Sequence, residues 1–293
     1  MPQYREEHND DRRRREAPGR RPPRTGQDRT RRVLGQNFLT DAGTIDQIVR
    51  AARPGAGDLI LEVGAGRGGL TRPLARTCRA LIAYEIDAEL ASRLTEVFQP
   101  GSPVRVVHGD FLGARPPGGR FAVVGNIPYA STARIVQWCL AAPGLTSATL
   151  VTQLEYARKR CGDYGRWSLR TVLTWPLFEW RIAGRIPRER FHPAPRVDAG
   201  ILRLERRPVP MLPPTQLPAY ERFVELGFSG VGGSLRASLH RRYPRHQVDG
   251  ALRSCRNSGS RCSGRCIPEP EAPVRERVHH RRHGHRPPTT DHR

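Results

Sequence analysis

Glu62-Val63-Gly64-Ala65-Gly66-Arg67-Gly68-Gly69 decides the fold, because it follows an apolar run at 59–63 and opens a helical pattern at 69–76. Gly64, Gly66 and Gly69 fit the G-x-G-x-x-G spacing, in which absent side chains let a nucleotide-like ligand approach the backbone. An acidic residue about twenty positions on, at the end of a second strand, completes such a site by binding ribose hydroxyls. Glu85, in Tyr84-Glu85-Ile86-Asp87, holds that place. These residues alone predict a nucleoside-type cofactor, and NAD fits them as well as any other.

Outward from this turn, apolar runs recur at 80–84, 104–107, 121–124 and 149–151, with helical patterns between them such as 88–98 and 132–140. Alternating strands and helices predict an α/β fold with a parallel sheet covered on both faces. Ligands of such sheets bind at the carboxyl ends of the strands. Gly109-Asp110 after the third strand and Gly125-Asn126-Ile127-Pro128-Tyr129 after the fourth therefore line one crevice with Gly64 and Glu85. Asp110 could cap a helix there or accept a hydrogen bond from a cofactor's adenine amine.

Asn126-Ile127-Pro128-Tyr129 has a mechanical use beyond a turn. An amide oxygen and a nearby backbone carbonyl can accept both protons of an exocyclic amine, which frees its lone pair and aims it at an electrophile. The sulfonium methyl of S-adenosylmethionine needs only in-line positioning of this kind, with no strong base. Tyr129 offers a face on which an extruded base can stack.

The chain has 293 residues, 50 Lys and Arg against 28 Asp and Glu, and a net charge of +22. Surface cations gain free energy by displacing counterions from phosphates, so nucleic acid is the expected partner, although an Arg-rich composition also follows from biased codon usage. No run of eighteen apolar residues marks a membrane span. Six cysteines without a preceding apolar leader fit a reducing, cytoplasmic setting, with Cys78, Cys139 and Cys161 as buried free thiols. Cys255, Cys262 and Cys266, with His279, His280, His283 and His285, lack the paired C-x-x-C form of structural zinc sites, so no metal is expected.

Residues 1–30 carry Arg12 to Arg15, Arg20, Arg21 and Arg24 with almost no large apolar side chains, and read as a disordered basic arm. A late strand is expected at 197–204, and Pro208, Pro210, Pro213, Pro214 and Pro218 mark a linker. Phe223, Leu226, Phe228, Leu235 and Leu239 then suggest a reduced helical domain over 209–250, bearing Arg236, Arg241 and Arg242. Residues 251–293 read as a low-complexity basic tail too poor in apolar residues to build further helices.

Six segments in order carry a family resemblance: Leu34-Gly35-Gln36-Asn37-Phe38-Leu39-Thr40-Asp41, Glu62-Val63-Gly64-Ala65-Gly66, Tyr84-Glu85-Ile86-Asp87, Gly109-Asp110, Asn126-Ile127-Pro128-Tyr129 and Phe191-His192-Pro193-Ala194-Pro195-Arg196-Val197-Asp198. Over about 33–242 the chain resembles the ribosomal RNA adenine dimethylases, and especially the Erm-type enzymes of macrolide resistance. The resemblance implies a Rossmann-like S-adenosylmethionine-dependent methyltransferase domain over 31–208 and a small helical C-terminal domain. It implies N6-methylation of one adenine of 23S ribosomal RNA by a cytoplasmic monomer, and resistance to macrolides, lincosamides and streptogramin B. By position, Asn37, Leu39 and Gly64 meet the cofactor, Glu85 takes its ribose, Asp110 its adenine, and Asn126 holds the target amine beside it. Tyr129 and Phe191 would sandwich the target base. The alternatives are a small-subunit (16S) dimethylase, a non-catalytic RNA-binding ribosome-assembly factor, and an NAD-dependent oxidoreductase. Where the family continues with several helices after Leu239, this sequence loses the pattern.

Overall fold

The computed structural model describes residues 37–162 and 167–257. The basic arm at 1–30 and most of the tail at 251–293 lie outside the described residues.

The strands form where apolar runs can be buried on both faces. In chain order they are β1 (Phe38–Leu39), β2 (Leu59–Val63), β3 (Ala80–Glu85), β4 (Val104–His108), β5 (Phe121–Asn126), β6 (Leu145–Gln153), β7 (Phe178–Ile186), β8 (Phe191–His192) and β9 (Ala199–Arg206). Seven of them make one sheet in the order β4-β3-β2-β5-β6-β9-β7. The five strands from β4 to β6 pair in parallel, whereas β9 runs antiparallel to β6. The sheet is thus mixed rather than wholly parallel. An antiparallel neighbour needs no helical crossover, and among the described residues no α-helix lies between β7, β8 and β9.

Along β5 the first five residues are all buried, as expected of a central strand covered by helices, while edge strand β4 buries only Val104. The helices of this part are α1 (Ala42–Ala52), α2 (Thr71–Ala75), α3 (Ala88–Val97), α4 (Thr132–Ala141) and α5 (Leu154–Cys161). Asp41 caps α1 by accepting from the Thr44 amide, and Asp87 caps α3 by accepting from Glu89 and Leu90. Ile48 of α1, Leu74 of α2 and Leu94 of α3 enter one core with Ile60, Leu81 and Ile201 of the sheet.

The chain steps outward from β2 to β3 and β4, then returns to place β5 against the other side of β2. This reversal opens a crevice at the carboxyl ends of β2 and β5. Two glycines there are irreplaceable for different reasons. A Cβ on Gly125 would lie 2.5 Å from the Val63 carbonyl oxygen, and one on Gly68, at φ +79°, would lie 2.9 Å from a Leu94 methyl. Gly69, the third glycine of the spacing motif, leaves its Cβ ordinary room at 3.5 Å from Ile45. Gly68 is thus more constrained than Gly69.

The chain divides into two compact units, one made of 37–161 with Trp180–Arg206, the other of Gly162–Glu179 with 207–257. The boundary expected at 208 therefore misses residues 162–179, which belong with the later segment. Within that second unit, α6 (Leu169–Thr174) and α7 (Leu217–Phe228) pack around Leu212, Tyr220 and Val224, and α8 (Leu235–His240) and α9 (Arg245–Asn257) follow. The Tyr220 hydroxyl donates to the Val172 carbonyl at 2.6 Å, and Arg236 meets Asp249 through two hydrogen bonds. α9 runs beyond the expected limit of helix at 251. Val248, Leu252 and Cys255 fall at helical spacing on its inner side, and one such stripe suffices for a short surface helix.

Gly125→Ala should lower stability by about 1–3 kcal/mol, the usual cost of overpacking, here forced on two paired strands. Urea unfolding of the variant checks this, and an unchanged midpoint would mean that β2 and β5 separate without cost.

Candidate active site

A cavity of about 150 Å³ opens at the switch point, and its wall includes Asn37, Leu39, Gly64, Glu85, Asn126 and Tyr129. Six of the eight sequence-predicted site residues thus share one space. Its floor is the glycine turn, anchored where the amides of Gly64 and Ala65 both donate to the Tyr84 carbonyl. Gly66, at φ +57°, presses close under Phe38, whose ring would lie 3.2 Å from an added Cβ.

Glu85 sits at the end of β3 with 2% of its surface exposed. The Gly66 amide donates to Oε2 at 2.7 Å and the Asp87 amide to Oε1 at 2.9 Å. These two bonds fix the carboxylate plane against the cavity. Burial nonetheless pushes its pKa upward, more than those amides pull it down.

Glu62 is the residue that sequence reasoning missed. It is 1% exposed, lies on the cavity wall, and its Oε2 has no hydrogen-bond partner. Burial pushes its carboxyl up to about 8, against a smaller pull down from the neighbouring Thr71 hydroxyl and with the Glu85 charge adding to the rise. A carboxyl amid the apolar residues of β2 was the available signal, since burying an acid without a partner costs stability that only a ligand or a reaction can justify. Phe38 and Arg67 also line the cavity without having been assigned a role.

The Asn126 side chain is oriented by a hydrogen bond from Nδ2 to the Asn37 carbonyl, 2.6 Å long. With its donor engaged, Asn126 presents Oδ1 as an acceptor. Tyr129 follows on a short turn, its hydroxyl buried without a partner and its pKa pushed up to about 12 by burial first and the Asp198 charge second.

Strands β1 and β8 form a separate antiparallel pair, with Phe38 opposite His192 and Leu39 opposite Phe191. Thr40 donates to the Arg190 carbonyl through both its amide and its hydroxyl, and Arg190 pairs with Asp41 at 2.7 Å. Asn37, Phe38 and Leu39 are thereby strapped over the glycine turn. The same pairing turns Phe191 inward: it is 4% exposed, packs in the main core, and does not line the cavity. Asp198 anchors the far end of this loop by accepting from the Arg188 amide at 3.1 Å and from Arg185. Asp110 also lies off the cavity wall; its Oδ1 caps the turn Phe111–Gly113 by accepting from Leu112 at 2.9 Å. Among the described residues no group of three His, Cys, Asp or Glu could hold a metal, and no helix is long and apolar enough to cross a membrane.

A glycine turn, a buried acid and an oriented asparagine at adjacent strand ends lie on a sheet with the Rossmann-like methyltransferase fold. The chain belongs to the ribosomal RNA adenine dimethylase family, whose model matches residues 27–257. It is 56% identical over 232 residues to an rRNA adenine N-6-methyltransferase of Streptomyces fradiae, covering 78% of this chain and 72% of that protein. It is 36% identical over 227 residues to the mycinamicin-resistance protein MyrB of Micromonospora griseorubida, covering 76% of this chain and 71% of the relative. The crystal structure of the 23S rRNA methyltransferase ErmE superposes with a TM-score of 0.72 at 52% identity, covering 74% of this chain and 89% of that one.

The protonation of Glu62 has a thermodynamic consequence. Its folded-state pKa of about 8 lies above the ordinary 4.5, so between these values the folded protein holds a proton that the unfolded chain has lost. That contribution is fully present below about 4.5 and disappears as pH rises towards 8. Glu62→Gln should therefore flatten the fall of stability with pH across this window. Denaturant midpoints measured at successive pH values check it, and an unchanged slope would contradict a protonated Glu62.

Proposed function

We propose that this protein transfers one or two methyl groups from S-adenosylmethionine to N6 of one adenine in 23S ribosomal RNA. The observation that carries this reading is the Asn126 amide on the cavity wall, its Nδ2 bound to the Asn37 carbonyl so that Oδ1 is left as an acceptor. Its support from relatives is the 52% identity with a 23S rRNA methyltransferase.

The cavity fits the cofactor. Gly64 and Gly66, both at positive φ, keep the turn free of side chains, and Glu85 offers a buried carboxylate to a ribose diol. S-adenosylmethionine, when bound, supplies an electrophilic sulfonium methyl. Asn37, Leu39 and Gly64 would hold its amino-acid end, Glu85 its ribose, and Asp110, exposed at the end of β4, its adenine amine.

Asn126 Oδ1 would accept a hydrogen bond from an N–H of the target amine, which draws the nitrogen lone pair out of the adenine ring and aims it into the cavity. Positive charge grows on that nitrogen as the new bond forms, and the amide dipole stabilises it there. The proton finally released goes to water, since an amide oxygen is too weak a base to keep it. Tyr129 supplies the stacking face for the extruded base. Phe191, the second aromatic of the expected sandwich, acts in this reading through β8, which holds the cover strand in place.

The second unit, with exposed Arg241, Arg242 and Arg245, would grip the RNA backbone, consistent with the net charge of +22. N6-methylation removes hydrogen-bond donors and adds bulk, so a drug packed on that base loses contacts and meets a clash. Macrolide-type resistance in the cytoplasm, where ribosomes work, follows from this chemistry and from the likeness to MyrB.

Labelled methyl transfer to protein-free 23S and 16S RNA tests the target. Label at one 23S adenine is expected; label confined to 16S RNA would replace this reading by the small-subunit one, and none in either by a non-catalytic RNA binder. Asn126→Ala should reduce kcat at least about a hundredfold, as loss of a charge-stabilising group in a transition state does. RNA affinity of the variant should persist, and near-normal kcat would remove Asn126 from the chemistry. Glu85→Ala should instead weaken S-adenosylmethionine binding about tenfold or more, measured by calorimetry.

A further inference from the structure

We infer that Arg67 is the anion anchor of the cavity, its guanidinium receiving the carboxylate of the methyl donor's amino-acid end. The inference rests on reading the cavity as an S-adenosylmethionine site, and it assigns a residue that neither the glycine spacing nor the polar motifs single out.

Arg67 occupies the tip of the glycine turn and lines the cavity, yet its side chain is exposed. Its guanidinium carbon lies 4.9 Å above the centre of the Phe38 ring, which lines the same cavity. Stacking of this kind holds one face of the planar group and leaves its N–H edge open to a planar, two-oxygen acceptor. Among the described residues Arg67 makes no ion pair. The turn beneath it is braced, because Arg72 Nη1 donates to the carbonyls of Arg67 at 2.9 Å and Gly68 at 3.1 Å. An unpaired cation is thus held in a fixed place at the rim rather than left free in solvent.

The distribution of charge in the cavity says what it waits for. Glu85 and Glu62 are buried acids on the wall, and Arg67 is the cation among the wall residues. With Glu85 marking the ribose end, the unpartnered Oε2 of Glu62 is placed for a cationic group, and Arg67 for an anionic one. A ligand that carries an ammonium and a carboxylate on one carbon, joined to a nucleoside, supplies a partner for each of these three groups. An RNA phosphate would match Arg67 alone and leave Glu62 without a partner.

Calorimetric titration of the wild type, Arg67→Ala and Arg67→Lys with S-adenosylmethionine and with its decarboxylated analogue tests the assignment, because the two ligands differ only in the carboxylate. Arg67→Ala should weaken S-adenosylmethionine binding at least about tenfold while changing the analogue less than about twofold. Arg67→Lys should recover part of the loss, as a charge without the bidentate fork does. Equal losses for both ligands would overturn the assignment and leave Arg67 a packing role against Phe38. Unchanged binding of both, with a raised KM for RNA, would overturn it in favour of a phosphate contact. A wild type that binds neither ligand would instead remove the cofactor reading itself.

Discussion

The hydrogen bond from Asn126 Nδ2 to the Asn37 carbonyl is the constraint on which the rest of the site depends. A free amide can turn its NH2 or its oxygen towards a neighbour with little preference. An amine approaching the NH2 face would meet donor against donor, with no acceptor for its protons. One bond of 2.6 Å to a backbone carbonyl, 89 residues away in sequence, removes that ambiguity. The bond in turn requires Asn37 to stay put, and that is what the small β1–β8 pair and the Arg190–Asp41 ion pair accomplish. Both partners of that ion pair are partly exposed, so it fixes register more than it adds stability. The strap and the chemistry are therefore one mechanical system.

Two buried carboxylates on one cavity wall are a cost that the fold meets unequally. Glu85 is compensated by amides of the glycine turn and of the α3 entry, so the loop geometry and the acid stabilise each other. Glu62 has no such compensation at Oε2 and is held nearer to neutrality. Residues kept under strain in this way mark places where a ligand completes the structure. On β9 the fold does satisfy a buried charge. Arg203, 3% exposed on β9, donates to the Ala52 carbonyl and the Thr149 hydroxyl and pairs with Glu205. The contrast within one sheet separates structural charge from functional charge.

What the sequence made legible follows the same physics. β2, β3, β4 and β5 were readable because parallel strands covered on both faces are apolar throughout, and the helices between them were framed by glycine and Asp caps. β7 was not, since Glu179, Arg181 and Arg185 interrupt its apolar residues. α1 was passed over because its Ile45, Ile48 and Val49 stripe follows directly on a segment read for its motif. β1 and β8, two residues each, are too short to carry any period and exist only as a tertiary pairing. Phe191 shows the limit of motif reading most clearly: its aromatic character was visible, but its burial is set by Leu39 opposite it, a partner far away in the chain. In the cavity, the residues that backbone conformation demands, such as Gly64, were legible, whereas Glu62 and Arg67 were visible as letters without an indication of which way they face.

The electrostatics of the whole molecule and of the cavity point in opposite directions, and the proposed reaction uses both. A chain of net charge +22 attracts a polyanion over distances of a Debye length but repels a cationic cofactor. Glu85 opposes that field locally, in a buried position where a nearby charge acts strongly, and Glu62 beside it offers a carboxyl oxygen that a bound cation would draw towards ionisation. Their effect favours the ground state, because methyl transfer carries positive charge away from the sulfur. Rate is gained only by groups that act more strongly on the transition state than on the bound reactants. In the proposed reaction Asn126 Oδ1 would be such a group, set against an amine that is neutral before reaction and positive during it. In the proposed reaction the acids would therefore serve binding and Asn126 turnover, a division set by where each oxygen stands relative to the moving charge.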